Sequence, residues 1–134
     1  MSLRFRAVDV GEGAHWPVHG SVSAEVAIPA EGEGVIVRLV AASADGKITN
    51  LRVEFDRVAA VFIVRESLIS EFWDVFQTQK NGDGILFEVE QSVWLESLGP
   101  LSELGYESPR HFMIVTSDDR IDVASSSTPR ITIT

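Results

Sequence analysis

Two histidines close together carry the first chemistry that this 134-residue sequence suggests. His15 and His19 are separated by three residues, and Glu25 or the distant His111 would complete a set of nitrogen and oxygen ligands. Such sets bind zinc and other non-haem metals. Because Pro17 prevents a helix from carrying both histidines on one face, the alternative is two ordinary loop histidines. We expect no metal and no cofactor, and we keep His15, His19 and His111 as the alternative metal ligands.

The stretch 79–90 resembles an EF-hand calcium loop in part of its pattern. The matching residues are Asn81, Asp83, Gly84, Leu86 and Glu90. Gln79 stands where the family has an aspartate, which removes a charge that calcium binding needs, and no second loop is present to pair with this one. Residues 85–90 also alternate as a β-strand does, where an EF-hand would enter its second helix. We therefore expect a turn and a strand here, without calcium binding.

Local motifs of nucleophilic enzymes are absent from the sequence. There is no Gly-x-Ser-x-Gly elbow, no glycine-rich phosphate loop and no His-Glu-x-x-His. Glu66 is the candidate for acid–base chemistry, because it follows an apolar stretch and apolar surroundings raise the pKa of a carboxyl group. Its alternative role is structural, at a helix N-terminus where the helix dipole favours negative charge. A small-ligand-binding protein or metal-dependent enzyme using His15, His19, His111 and Glu66 is the alternative function.

Acidic residues dominate the segment 71–107, which contains eight carboxylates and a single lysine. The whole chain has a formal net charge of -9, which repels nucleic acid and anionic membranes and favours a partner protein with a basic surface. Glu88, Glu90, Trp94 and Glu96 form the predicted partner-binding site, in which an aromatic anchor lies in a negative field. Solubility is the alternative reason for this concentration of charge.

Composition supports an acidic binding module better than an enzyme. The length suits one domain spanning residues 1–134, and the absence of cysteine excludes disulfides and thiolate chemistry. We expect a soluble, cytoplasmic protein, because no secretory segment and no apolar run long enough to span a membrane are present. The leading interpretation is a non-enzymatic protein-interaction module that recognises a basic partner. Small toxin-neutralising proteins share this profile, by analogy only.

The elements that must position these residues begin with the apolar stretch 51–76. Residues 51–55 alternate as a half-buried strand, and Val58–Val64 is apolar on both faces, as in a strand covered on each side. The period then becomes helical, which predicts an amphipathic helix over Leu68–Phe76. A first strand over Arg4–Val10, a hairpin over residues 21–40 and the turn Asp45–Gly46, which leads into the strand at residue 51, predict a meander of about four antiparallel strands before the helix.

The second half of the chain predicts further strands and a short helix. Ser92 has the character of an N-cap, and Gly99 follows the short helix as a stop signal. Asp118–Asp119 separates the two arms of a hairpin, and Ile131–Ile133 forms a terminal edge strand that offers a surface for a homodimer. The predicted fold class is α+β: a mostly antiparallel curved sheet or open barrel of six to eight strands, covered by one main helix and a second short helix.

Overall fold

A computed structural model describes residues 4–7, 21–29, 32, 34–43, 45–65, 80–81 and 85–133. Within these residues, ten strands form two sheets. The strands are β1 Arg4–Ala7, β2 Ser21–Ala27, β3 Val35–Ala42, β4 Ile48–Phe55, β5 Val58–Arg65, β6 Lys80–Asn81, β7 Leu86–Glu90, β8 Arg110–Val115, β9 Asp119–Ser125 and β10 Arg130–Ile133. One α-helix, α1, spans Val93–Ser97, and a 3-10 helix, η1, spans Leu101–Leu104.

The four-stranded sheet has the order β10-β4-β3-β2 and is antiparallel throughout. Its burial alternates along β3 and β4, so that Leu51, Val53 and Phe55 face the core as their spacing predicts. The hairpin turn at Asp45–Gly46 is confirmed. Gly46 has a φ of 89°, a conformation that costs glycine nothing, and its N–H donates to the carbonyl of Ser43.

The six-stranded sheet has the order β5-β9-β8-β7-β1-β6, with β1 and β6 parallel and every other pair antiparallel. The predicted hairpin around Asp118–Asp119 is confirmed as β8–β9. The predicted meander of about four strands is wrong, because only β2, β3 and β4 follow one another in one sheet, whereas β1 pairs with β7 in the other sheet. After the bend at residues 56–57 the chain enters the other sheet, where β5 pairs with β9.

The two sheets share one hydrophobic core. Side chains from β2, β3 and β4 pack against Leu86, Phe112, Ile114, Ile121 and Val123 of the six-stranded sheet. The rings of Phe55 and Phe112 meet across the interface with their centroids 5.6 Å apart. Backbone bonds also join the sheets, since the N–H of Ser117 donates to the carbonyl of Val22 over 2.8 Å. Burial of these apolar faces stabilises the stacked arrangement.

The predicted α+β class is therefore wrong. The described residues form two stacked sheets and one α-helix of five residues, instead of a curved sheet or open barrel under a main helix. Edge strands of the two sheets do not pair with each other in this part of the chain, so no barrel closes. Alternating burial is the same in one curved sheet as in two stacked sheets, which is why the pattern misled. The predicted helix Leu68–Phe76 lies outside the described residues.

The prediction that Val58–Val64 is covered on both faces is also wrong. Phe62 is 53% exposed and Ile63 is 51% exposed, although their side chains point to opposite faces of β5. Both side chains are exposed because β5 is the outermost strand of its sheet.

The prediction that residues 131–133 form an edge strand is confirmed, since β10 pairs with β4 alone among the described strands.

No helix in the described part of the chain is both long enough and apolar enough to cross a membrane.

Candidate functional site

A hydrogen-bonded network of buried polar side chains lies on the outer face of the six-stranded sheet, away from the core between the sheets. Its members are Ser92, His111 and Asp122, which are 6%, 2% and 3% exposed. Strands β8 and β9 place the histidine and the aspartate on this face, because their neighbours Phe112 and Val123 point into the core. The Nε2 atom of His111 is 2.6 Å from Oδ1 of Asp122, so the carboxylate orients the ring.

Ser92 connects this network to the helix α1. It is the N-cap of α1, and its Oγ accepts the backbone N–H of Leu95 over 3.0 Å, as the sequence predicts. The same Oγ lies 2.6 Å from Nδ1 of His111. We assign the hydroxyl as donor to Nδ1 and Nε2–H as donor to Asp122, because the carboxylate of Asp122 can only accept and Nδ1 is then left as an acceptor. Arg120 also donates to Asp122, over 2.9 Å.

Serine, histidine and aspartate in this order form the relay of serine hydrolases, so the arrangement invites a catalytic interpretation. Two features favour a structural role. Ser92 is buried with its Oγ already accepting a backbone N–H, and the Trp94 ring covers the imidazole of His111 with its centroid 4.7 Å away. An acyl carbonyl has to approach the nucleophile closely, and a serine that is only 6% exposed leaves no room for that approach. The network therefore fastens α1 to the sheet.

The segment that follows is fastened at a second point. Arg57, in the bend between β4 and β5, donates to the carbonyl of Gly105 over 2.8 Å, and its guanidinium lies 5.6 Å from the centre of the Tyr106 ring. Leu101 is 7% exposed and anchors η1 from below. Gly105 ends η1 with a φ of 94°, which permits the N–H of Tyr106 to bond the carbonyl of Leu101. Segment 91–107 is thus held at both ends.

The outward side of this segment combines apolar and acidic side chains. Val93 is 61% exposed and Leu104 is 69% exposed. Glu96, Glu103 and Glu107 are also exposed, and they form no salt bridge within the residues that the structure describes. We call these five residues the α1 surface. Exposed apolar side chains among unpaired carboxylates are suited to bind a partner that has apolar and basic groups.

The four residues predicted to bind a partner do not share one face. Glu88 and Glu90 point to the side of β7 that carries Leu86, whereas Trp94 lies on the opposite side, against His111. Glu96 is the member of the predicted set that belongs to the α1 surface.

Glu88 has an internal partner in the structure. Its carboxylate accepts two hydrogen bonds from Arg110, over 2.8 and 2.9 Å, and these bonds raise the pKa of Arg110 above its ordinary value. The guanidinium of Arg110 also lies 4.9 Å from the centre of the Phe112 ring. The negative charge of Glu88 is therefore largely compensated inside the protein.

The alternative metal and catalytic residues are not brought together in the described part of the chain. Both nitrogens of His111 are occupied by Ser92 and Asp122, and Glu25 lies on the exposed face of β2. His15, His19 and Glu66 lie outside the described residues. Within those residues, no group of three potential metal ligands occurs.

The EF-hand-like stretch has strand structure in its described part. Residues Leu86–Glu90 form β7, which confirms the predicted strand, and Lys80–Asn81 forms β6. The stretch therefore continues as a strand where an EF-hand would begin its second helix. Gln79 and residues 82–84 lie outside the described residues.

Sequence reasoning missed the buried network of Ser92, His111 and Asp122. It identified Ser92 as a cap and His111 as an alternative metal ligand, but it did not connect them or single out Asp122. A signal was present, because His111 and Asp122 occupy outward positions of a hairpin opposite Ala124 and Met113, which are apolar and buried. A polar residue on an otherwise buried face needs a partner.

Comparison with protein-family models, with curated protein sequences and with solved structures found no match to this chain. Its function must therefore be argued from its own residues.

Proposed function

We propose that this protein is a non-enzymatic binding module whose α1 surface recognises a basic partner protein. One observation carries the proposal: Val93 and Leu104 are more than half exposed beside carboxylates that have no salt bridge within the described residues. Between residues 93 and 107 the chain contains three glutamates, Glu96, Glu103 and Glu107, and no lysine or arginine. The negative field of these carboxylates attracts a basic surface and orients it before contact.

The distribution of charge supports this choice of surface. Several acids elsewhere are paired with arginines, as Glu54 is with Arg52 and Arg130, and Glu88 is with Arg110. Paired carboxylates contribute little to the long-range field, because the neighbouring guanidinium cancels most of their charge. The glutamates of the α1 surface, which lack such partners in the described structure, contribute more to the attraction of a cation.

The rigidity of the segment supports binding as well. Ser92 at one end and Gly105 at the other are bonded to the sheets, so the exposed side chains between them are presented on an ordered backbone. A surface that is ordered before association loses less conformational entropy on binding, and this raises affinity. The proposal therefore gives the buried histidine network a role in recognition without contact with the partner.

Affinity capture from the native host, followed by binding kinetics with the purified partner, tests the proposal. The test variant Glu96→Gln/Glu103→Gln removes two charges from the α1 surface. The matched control Glu25→Gln/Asp118→Asn removes two exposed charges elsewhere and gives the same net charge. We expect the test variant to associate more slowly and with a weaker dependence on salt, while the control keeps wild-type kinetics.

The apolar residues of the α1 surface should affect the dissociation rate constant. Val93→Ser and Leu104→Ser remove contacts made only in the complex, so both should mainly accelerate dissociation. Equal capture and equal kinetics for all variants would show that another surface binds the partner.

Two further parts of the proposal concern assembly and location. The free edge of β10, which pairs only with β4 in the described sheets, offers a site for a homodimer by strand pairing. Sedimentation at several concentrations tests this, and Thr132→Pro should abolish any dimer that depends on that edge. We also propose a cytoplasmic location, with which a sequence free of cysteine is compatible.

A further inference from the structure

Two arginines lie side by side on the outer face of the four-stranded sheet. In the antiparallel register Arg38 of β3 is directly opposite Arg52 of β4, and on its other side it is opposite Glu25 of β2. Side chains directly opposite each other are about 5 Å apart at Cβ, so two guanidinium groups in this arrangement repel. Such a pair needs negative charge close by.

The negative charge supplied by the protein is incomplete. Glu25 approaches Arg38 only to 3.7 Å, beyond a good hydrogen bond, and its side chain is 75% exposed. Glu54 forms an ion pair with Arg52, with its Oε1 2.7 Å from Nε, but it also accepts a hydrogen bond from Arg130 over 2.9 Å, so its charge is shared between two cations. Among the described residues, no hydrogen-bond acceptor is present for the terminal N–H groups of Arg52 or for any guanidinium N–H group of Arg38.

These arginines line a cleft of about 580 Å³ on the sheet surface. The volume suits a small organic ligand. The neighbouring row across the strands is Ser23, Val40 and Asn50, which adds a hydroxyl, an apolar contact and an amide. Val40 is 40% exposed, so its side chain is open to a ligand.

The charges of this face are balanced, although the whole chain carries a net charge of -9. Arg38, Arg52 and Arg130 here face Glu25, Glu54 and Asp56, and Arg130 takes up Asp56 and part of Glu54. The guanidinium groups of Arg38 and Arg52 therefore keep unused donors. Guanidinium groups bind carboxylate and phosphate oxygens through two parallel hydrogen bonds.

We propose that this cleft binds a small organic anion, whose carboxylate or phosphate group is held by Arg38 and Arg52 and whose apolar part rests on Val40. The site is independent of the α1 surface, which is fastened to the other sheet and presents carboxylates instead of guanidinium groups. Binding of the anion relieves the repulsion between the two arginines, so the ligand should also raise the stability of the folded protein.

Amide NMR of the full chain, titrated with sodium benzoate and separately with inorganic phosphate, tests the proposal. Sodium chloride at matched ionic strength is the reference. We expect saturable shifts confined to residues 23–25, 38–40 and 50–52, from at least one probe at millimolar concentration. Tighter benzoate binding identifies a carboxylate ligand with an apolar body, and tighter phosphate binding identifies a phosphorylated ligand.

Three variants separate binding from a structural role. Arg38→Gln should weaken binding roughly tenfold, because it removes the charge-assisted bonds of one guanidinium. Glu25→Gln should strengthen binding, because it removes the carboxylate that competes with the ligand, and a merely structural pair would not respond in this way. Lys47→Gln, which removes an exposed cation outside the cleft, is the control and should not change the affinity. Shifts no larger than those with chloride, or equal affinity for wild type and Arg38→Gln, would overturn the proposal.

Discussion

The imidazole of His111 and the carboxylate of Asp122 lie 2.6 Å apart on the outer face of the six-stranded sheet, and both are almost fully buried. Through Ser92, this pair determines where α1 begins and how it rests on the sheet. Buried polar groups of this kind are costly unless every member has a partner. The pair therefore links the stability of the sheet to the order of the α1 surface.

Removal of the carboxylate should be strongly destabilising. Asp122→Ala leaves Nε2 of His111 without its acceptor in a buried setting and removes the carboxylate to which Arg120 donates, and we expect a loss of about 3–5 kcal/mol in the free energy of unfolding. Asp118→Ala, an exposed change in the neighbouring turn, should cost less than about 0.5 kcal/mol. Chemical denaturation measures both. Similar losses for the two variants would mean that the buried pair contributes nothing specific.

Ser92 should behave as a cap and not as a nucleophile. Ser92→Ala removes the acceptor of the Leu95 N–H and the partner of Nδ1 in His111, so we expect a loss of about 2 kcal/mol in stability. A fluorophosphonate probe, which labels activated serines, should not modify Ser92 in the folded protein. Mass spectrometry of the treated protein checks this, and stoichiometric labelling of Ser92 would instead establish a catalytic role.

Phe55 and Phe62, on strands that follow each other along the chain but lie in different sheets, should differ sharply in their contributions to stability. Phe55 is 1% exposed and meets Phe112 in the core, so Phe55→Ala should cost about 3–5 kcal/mol. Phe62 is more than half exposed on the edge strand β5, and Phe62→Ala should cost less than about 1 kcal/mol. Denaturation curves compare them directly. A large loss for Phe62→Ala would mean that its ring is covered in solution.

Two glutamates of the predicted partner site should separate stability from binding. Glu88→Gln weakens the paired hydrogen bonds to Arg110 and should lower stability by about 1 kcal/mol, since the arginine is partly exposed, with no change in partner association. Glu96→Gln should slow association with no loss of stability. Unfolding and stopped-flow binding measurements distinguish the two. The reverse outcome would return Glu88 to the recognition surface.

Asp45 should titrate at unusually low pH. The Ser43 hydroxyl and the Lys47 backbone N–H both donate to its carboxylate, and these bonds lower the pKa of Asp45. A carboxyl group whose pKa is lowered in the folded state stabilises the fold at pH values above its unfolded-state pKa of about 3.9. This stabilisation is lost as the pH falls through the folded-state pKa. Carbon NMR titration should show the midpoint rising in Ser43→Ala and falling back in Ser43→Thr. Equal midpoints would exclude the hydroxyl as the cause.

The sequence by itself determined the features that depend on neighbours a few residues apart. Alternation identified β2, β4 and β7, Gly46 marked the tight turn after β3, and Ser92 marked the start of α1. These signals are local, because side-chain period, turn conformation and capping each involve only a short stretch of backbone.

Only the tertiary structure decided how the strands are shared between two sheets and which polar groups meet. The pairing of β5 with β9 places Phe62 on an edge strand. The pairing of β8 with β7 and β9 brings Ser92 and Asp122 to the two nitrogens of His111. The physical reason is that a strand's period states which side chains share a face, but not which strand lies beside it. Contacts between distant parts of the chain depend on that choice of neighbour.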